Sequence, residues 1–215
     1  MLRYIYGNDL RRFSRLGHSM FTDRTAQFAE RLGWPVRVNA AGEERDQYDV
    51  LNPLYLVWER DDGLHGGSMR FLPTTGRTMV NEHFAHLNGG EPIVSPLIWE
   101  CTRFCLAPGA EGRVAAALAL GAGELMSAFR LRHYVGVFDP RMERVYARMG
   151  LRPEVLGRAG AGRAAVAVGL WSMDLAAFGP ILIRVGIGRE TSRRWLSEGL
   201  HPPGAAPAVE AARAG

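Results

Sequence analysis

Trp99-Glu100-Cys101-Thr102-Arg103-Phe104-Cys105-Leu106 is a short aromatic and apolar run that carries two charges. Upstream lies Gly67-Ser68-Met69-Arg70-Phe71-Leu72-Pro73-Thr74-Thr75-Gly76, of the same kind. Both read as strands, because Met69, Phe71, Trp99, Phe104 and Leu106 fall in short runs bounded by Gly and Pro. Yet Arg70 sits in the first, and Glu100 and Arg103 in the second. A charge in a core strand is costly unless it is paired or hydrogen-bonded. Three such charges on two neighbouring strands predict a polar site on a sheet surface; a solvated edge strand is the other reading. Glu100 and Arg103 are three residues apart, on opposite faces of a regular strand. Either a bulge intervenes or each has its own partner.

Working outward, Leu54–Glu59 and Leu64–Leu72 read as a hairpin turned at Asp61-Asp62-Gly63. Residues 7–32 read as helical, with a break near Thr22 where Thr22 or Asp23 could cap the second half. Gly33-Trp34-Pro35 stops that helix. Residues 35–53 are polar and aperiodic, a long loop of the kind that is usually functional or disordered. Residues 81–87 suggest a short helix. After the Trp99–Leu106 strand, an Ala- and Leu-rich helix is expected over 111–131. A strand follows at Tyr134–Phe138, a helix at 140–149 capped by Asp139, a strand at 164–173, and helices at 174–185 and 189–196. The Ala/Pro-rich tail from residue 201 to 215 is expected to be disordered, leaving residues 1–200 as one domain. Helices, a hairpin and then alternating strands and helices make an α/β class.

The 215 residues suffice for one substantial core. No run of 18 apolar residues occurs, and the N-terminus lacks a signal-peptide core, so a soluble cytoplasmic protein with no membrane partner is expected. Cys101 and Cys105, in one strand, stand about 13 Å apart if extended and cannot bridge. Two cysteines make no complete metal site, and His83 with His86 lack a third ligand, so no metal is expected. The net charge is +4, and all 26 basic residues are Arg. No nucleic-acid motif accompanies them, so no nucleic-acid partner is expected. GC-rich codon usage explains the Arg bias better.

Arg24, Phe28, Trp34, Asp46 and Asp49, in the frames Asp-Arg-Thr-Ala-Gln-Phe, Gly-Trp-Pro and Asp-Gln-Tyr-Asp, precede Arg70, Glu100 and Arg103. With the Arg-Phe-Leu-Pro-Thr-Thr-Gly and Trp-Glu-x-x-Arg-Phe runs, this order and spacing resembles the acyl-homoserine lactone synthases, the autoinducer synthases of bacterial quorum sensing. The motifs cover about Arg24 to Phe104. The resemblance implies a single-domain, GNAT-like α-β-α sandwich of three layers, whose central mixed sheet splays between Trp99–Leu106 and Tyr134–Phe138. It implies an acyltransferase that joins S-adenosylmethionine to an acyl thioester, delivered by acyl-carrier protein or by CoA, and releases methylthioadenosine. S-adenosylmethionine is then a substrate, its sulfonium is the leaving group, and no cofactor is required.

On that resemblance Glu100 is the candidate general base, and Arg103 orients Glu100 or an acid of the N-terminal loop. Arg24, Phe28, Trp34, Asp46, Asp49 and Arg70 are the candidate S-adenosylmethionine site, the aromatic faces attracting the sulfonium. Met79, Trp99, Phe104, Leu125, Met126, Val137 and Leu170 are candidates for the acyl pocket. An Arg-rich face suits an acidic carrier protein, with Arg113, Arg130, Arg132, Arg141, Arg144 and Arg148 as candidates. Competing readings are a GNAT-type acyl-CoA N-acyltransferase, for which Pro108-Gly109-Ala110-Glu111-Gly112-Arg113 offers only part of the pyrophosphate loop, and a non-catalytic ligand-binding module.

Overall fold

Alternating apolar residues build a sheet whose two faces are both covered. A computed structural model describes residues 1–148, 150–173 and 178–201. Its strands are β1 (Leu2–Tyr6), β2 (Leu54–Glu59), β3 (His65–Pro73), β4 (Ile98–Leu106), β5 (His133–Phe138), β6 (Glu154–Ala159) and β7 (Val166–Trp171). They form one seven-stranded sheet in the order β1-β2-β3-β4-β5-β7-β6. Every pairing is antiparallel except β4 with β5. Gly63, at φ +77°, makes the β2–β3 turn that the sequence signals.

The helices are α1 (Ser14–Arg24), α2 (Met79–His83), α3 (Gly112–Ala128), α4 (Glu143–Arg148), α5 (Phe178–Val185) and α6 (Arg189–Leu200). On one face α3 packs with α5 and α6 over Leu2, Leu56, Phe71 and Tyr134. The approach is close: a Cβ on Gly67 of β3 would stand 2.7 Å from Val114, so β3 can carry nothing larger there. On the other face α1 buries Leu16, Met20 and Phe21 against Tyr55 and Val57. These layers give the three-layer sandwich that the resemblance implies.

Several boundaries differ from the sequence reading. The first helix does not break at Thr22. It runs from a 3-10 segment (Gly7–Phe13) through α1 into a π-helical segment (Thr25–Arg31). Thr22 bonds back to the His18 carbonyl and caps nothing, while Asp23 turns to His65. The expected helix at 81–87 is α2 plus a 3-10 turn (Ala85–Asn88). The expected 140–149 helix is a 3-10 turn (Pro140–Met142) leading into α4, with Asp139 capping as read. Strands β1 and β6 went unread, because each is a short edge strand whose ladder lies on one side only. The expected tail begins at His201, and residues 202–215 lie outside the described residues, as do 174–177 of the expected helix start. Among the described residues no helix is long and apolar enough to cross a membrane.

One buried contact fixes α1 on the sheet. His65 Nδ1 stands 2.7 Å from Asp23 Oδ2, and its Nε2 stands 2.9 Å from Ser68 Oγ. The Ser19 hydroxyl also accepts from the His65 backbone N–H at 3.0 Å. Burial, outweighing the opposing pull of Asp23, lowers the imidazole pKa from its ordinary 6.5. The unfolded chain therefore takes up a proton that the folded chain refuses, so this residue's stability contribution is present above 6.5 and is lost as the pH falls below it. We expect the urea midpoint of the wild type to fall between about pH 7.5 and about pH 5.5 by more than that of His65→Gln. Parallel pH profiles for the two proteins would remove His65 from this role.

Candidate active site

The charges of β3 and β4 converge with three acids of the 33–53 loop. Arg24 gives its Nε to Glu44 Oε2 at 2.6 Å and its two terminal nitrogens to Asp49 at 3.0 and 3.1 Å. Arg70 clamps Asp46 through both terminal nitrogens, at 2.5 and 2.9 Å, and reaches Asp49 at 2.8 Å. Its Nε donates to Thr102 Oγ1 at 3.1 Å. Arg103 bridges Glu44 at 2.9 Å and Asp46 at 2.8 Å. The Tyr55 hydroxyl adds a donor to Asp49 at 2.7 Å. Three guanidinium groups thus meet three carboxylates, and the cluster is neutral as a whole.

Burial makes that neutrality necessary. Arg24, Arg70 and Glu44 are at most 1% exposed. Burial pushes the Asp49 carboxyl up, but Arg24 and Arg70 outweigh it and hold the group well below the ordinary carboxylate range. Burial likewise works against the charge on Arg70, and the flanking Asp49 and Asp46 more than restore it. Arg24, Arg70 and Asp49 therefore hold one another in their charged forms.

The strand geometry that admits Arg103 is a bulge. Ser68 pairs with Cys105 and Arg70 with Thr102, so β4 carries one more residue than β3 over that interval. Arg103 sits there at φ +54°, in the left-handed region that a side chain adopts at a cost. As a result Thr102 and Arg103 both reach the cluster, while Cys101 and Phe104 pack on the α3 face. The three-residue offset is resolved in both ways the sequence left open: a bulge intervenes, and Arg103 and Glu100 have separate partners.

Glu100 is 1% exposed. Its carboxylate accepts from the backbone N–H groups of Val80 at 2.6 Å and Met79 at 3.2 Å, at the start of α2. Burial raises its pKa above the ordinary 4.5, and the two amides offset this only in part. Arg103 does not orient Glu100; the acids of the N-terminal loop are its partners. Phe28 stacks on Trp34 with centroids 5.3 Å apart and planes 10° from parallel. The Arg103 guanidinium lies 5.4 Å from the Phe28 centroid. Trp34 is 43% exposed, so the stack presents a free aromatic face beside the charge cluster.

On the other side of the sheet β4 and β5 separate. They pair only from Ile98–His133 to Glu100–Val135. Beyond that fork a cavity of about 110 Å³ opens beneath α3, bordered by Met69, Cys101, Phe104, Ala119, Gly136 and Trp171 among others. Of the residues expected there, Phe104 and Val137 border it. Met79 does not, because its backbone serves Glu100. Trp99 packs tilted against Phe129, with centroids 4.6 Å apart. Leu125 and Met126 are buried in the core under α3. Leu170 packs on the opposite face of the sheet with Val80, Val135 and Val168.

Glu44, Tyr55, Thr102 and the amides of Met79 and Val80 went unread. Glu44 had a signal: three arginines on or against core strands set against only two loop acids leave one cation without a partner.

The sequence pattern of the family described as autoinducer synthase matches residues 8–176. An acyl-homoserine-lactone synthase of Rhizobium etli is 41% identical over 181 residues, covering 80% of this chain and 84% of that one. The solved acyl-homoserine lactone synthase LasI is 29% identical, covers 80% of this chain and 89% of its own, and superposes with a TM-score of 0.68. The CoA-dependent acyl-homoserine lactone synthase BjaI, solved with SAM and isopentyl-CoA, covers 87% of this chain and 90% of its own at 21% identity and a TM-score of 0.78, a likeness of fold. The sandwich is the GNAT-like acyltransferase fold.

The cluster predicts its own sensitivity. Glu44→Gln leaves Arg24 and Arg103 sharing one uncharged acceptor, and should lower the unfolding free energy by roughly 3 kcal/mol in urea titrations. A loss under about 1 kcal/mol would mean that the cluster does not hold the loop to the sheet.

Proposed function

The chain belongs to the autoinducer synthase family and is an acyltransferase of the acyl-homoserine lactone synthase kind; we propose that its two sheet faces divide the reaction. S-adenosylmethionine lies under the N-terminal segment, on the face of the Arg–carboxylate cluster. The acyl chain lies in the cavity under α3. The reacting carbonyl sits at the fork between β4 and β5, where Glu100 is the last residue of β4 paired with β5. The observation that carries this reading is Glu100 itself: a buried carboxylate of raised pKa at the point where the two faces meet.

The chemistry follows from those positions. The α-amine of S-adenosylmethionine must be neutral to attack the thioester. Glu100 takes its proton, directly or through a water, and the raised pKa makes it a better base than a solvated carboxylate. The C–N bond forms and the C–S bond breaks, so the thiol leaves. Backbone N–H groups left unpaired past the fork are suited to the oxyanion. The substrate carboxylate then attacks its own γ-carbon, the bond to the sulfonium breaks, and methylthioadenosine leaves with the electron pair. The leaving group is built into the substrate, and no cofactor is needed.

Arg24 and Arg70 are fully engaged by protein carboxylates and act by positioning the loop. Asp46 and Arg103, about one-tenth exposed, with Phe28 and Trp34, remain to face the substrate. Closure of the N-terminal segment over S-adenosylmethionine would exclude water from both steps. The donor is an acyl thioester of CoA or of a carrier protein. Arg130, Arg132, Arg144 and Arg148 are exposed and unpaired among the described residues, as an acidic carrier requires. Arg113 and Arg141 are already paired, with Glu111 and Asp139.

Glu100→Gln should lower methylthioadenosine release by at least 100-fold with the fold intact. Its stability gives a second check. A raised carboxylate pKa means that the folded wild type binds more protons above 4.5, so its stability falls as the pH rises through the folded pKa. The melting temperature of Glu100→Gln relative to wild type should therefore climb from about pH 4 to about pH 8. Full activity in the variant would remove Glu100 as base. Acyl transfer without methylthioadenosine would favour a plain N-acyltransferase.

A further inference from the structure

The cavity under α3 is small. Its helical wall is Ala115, Ala119 and Ala122, which share one face of α3 and leave width rather than fill it. Three aromatic rings also line it. Phe138, Tyr146 and Trp171 meet pairwise edge to face, with centroids 5.2, 5.5 and 5.7 Å apart. Three rings in mutual contact resist displacement better than one, because each is held by the other two.

Trp171 reaches this position because residue 136 is glycine. A Cβ on Gly136 would stand 3.3 Å from the indole and 2.9 Å from the Cys101 carbonyl oxygen. The indole therefore covers the space that a side chain at 136 would take, directly past the fork. An apolar cavity of about 150 Å³ holds a benzene ring, so one of about 110 Å³ holds roughly four to five carbons.

We propose that the acyl group transferred here is short, roughly four to five carbons beyond the thioester carbonyl, and that Trp171 is the residue that sets the limit. This rests on the acyl-homoserine lactone synthase reading above. A longer chain must displace the indole and break the three-ring contact, so discrimination falls on kcat/KM for the donor and leaves the KM for S-adenosylmethionine unchanged.

The test uses the full chain with S-adenosylmethionine and straight-chain C4, C6, C8, C10 and C12 donors, each as CoA and as carrier-protein thioester. Methylthioadenosine release is read. We expect the highest kcat/KM at C4 to C6, at least a tenfold fall by C10, and a C10-to-C6 ratio raised at least tenfold in Trp171→Leu. Ala119→Val, which narrows the wall, should lower C6 relative to C4, and it carries the test if Trp171→Leu does not fold. Wild-type turnover of C10 or C12 equal to that of C6, or an unchanged profile in the folded variants, overturns the proposal. No methylthioadenosine from any donor overturns the synthase reading itself, a distinct result.

Discussion

Three arginines and three carboxylates, buried together, are the constraint on which the rest of this structure depends. Each charge alone would be intolerable in the interior; together they cancel, and each carboxylate has donors enough to replace water. The cluster ties elements far apart in the chain: Arg24 at the end of α1, Glu44 to Asp49 in a loop with little regular structure, Arg70 on β3 and Arg103 on β4. Beside it, the apolar anchors of the 33–53 segment are the buried Tyr48 and Pro53, while Trp34, Val38 and Val50 are exposed. The bulge at Arg103 serves this cluster. A regular β4 would aim Arg103 at α3, into an apolar layer with no acid to receive it.

The same bulge separates two kinds of surface on one strand. Glu100, Thr102 and Arg103 make one face polar, while Cys101, Phe104 and Leu106 keep the other apolar. A charged substrate and an acyl chain can then approach the fork of β4 and β5 from opposite sides. On the proposed division of the reaction, Glu100 stands where both arrive. Among the described residues its carboxylate bonds only to backbone amides, and burial outweighs both these and the more distant charge of Arg70, so its pKa stays raised. Pairing with Arg103 would have made a better structural ion pair and a poorer base.

Much of this was legible in the sequence for a simple reason. Arg70, Glu100 and Arg103 are charges in strands that must be buried, and a buried charge announces a partner. The loop acids Asp46 and Asp49 and the stack of Phe28 on Trp34 were found by resemblance to a family, since spacing alone leaves them as solvated acids and ordinary core. Glu44 escaped because Glu43-Glu44-Arg45 in a polar loop looks like a solvated run, and the burial of its two acids depends on tertiary contacts. The cavity was the least legible part. Large residues such as Leu125, Met126 and Leu170 were expected to line it, yet its helical wall is alanine, because a space is made by what is small. Trp171 in its lining follows from a cross-strand pairing, Tyr134 with Trp171, that strand periodicity cannot specify.

The most direct test of the account is a crystal structure of the full chain with S-adenosylmethionine. The division between the two faces places the sulfonium against the Phe28–Trp34 stack and the α-amine toward Glu100, with the Arg24, Arg70 and Arg103 pairings intact. A molecule bound instead in the α3 cavity, or a guanidinium of Arg24 or Arg70 released from its carboxylates to hold the ligand, would contradict it.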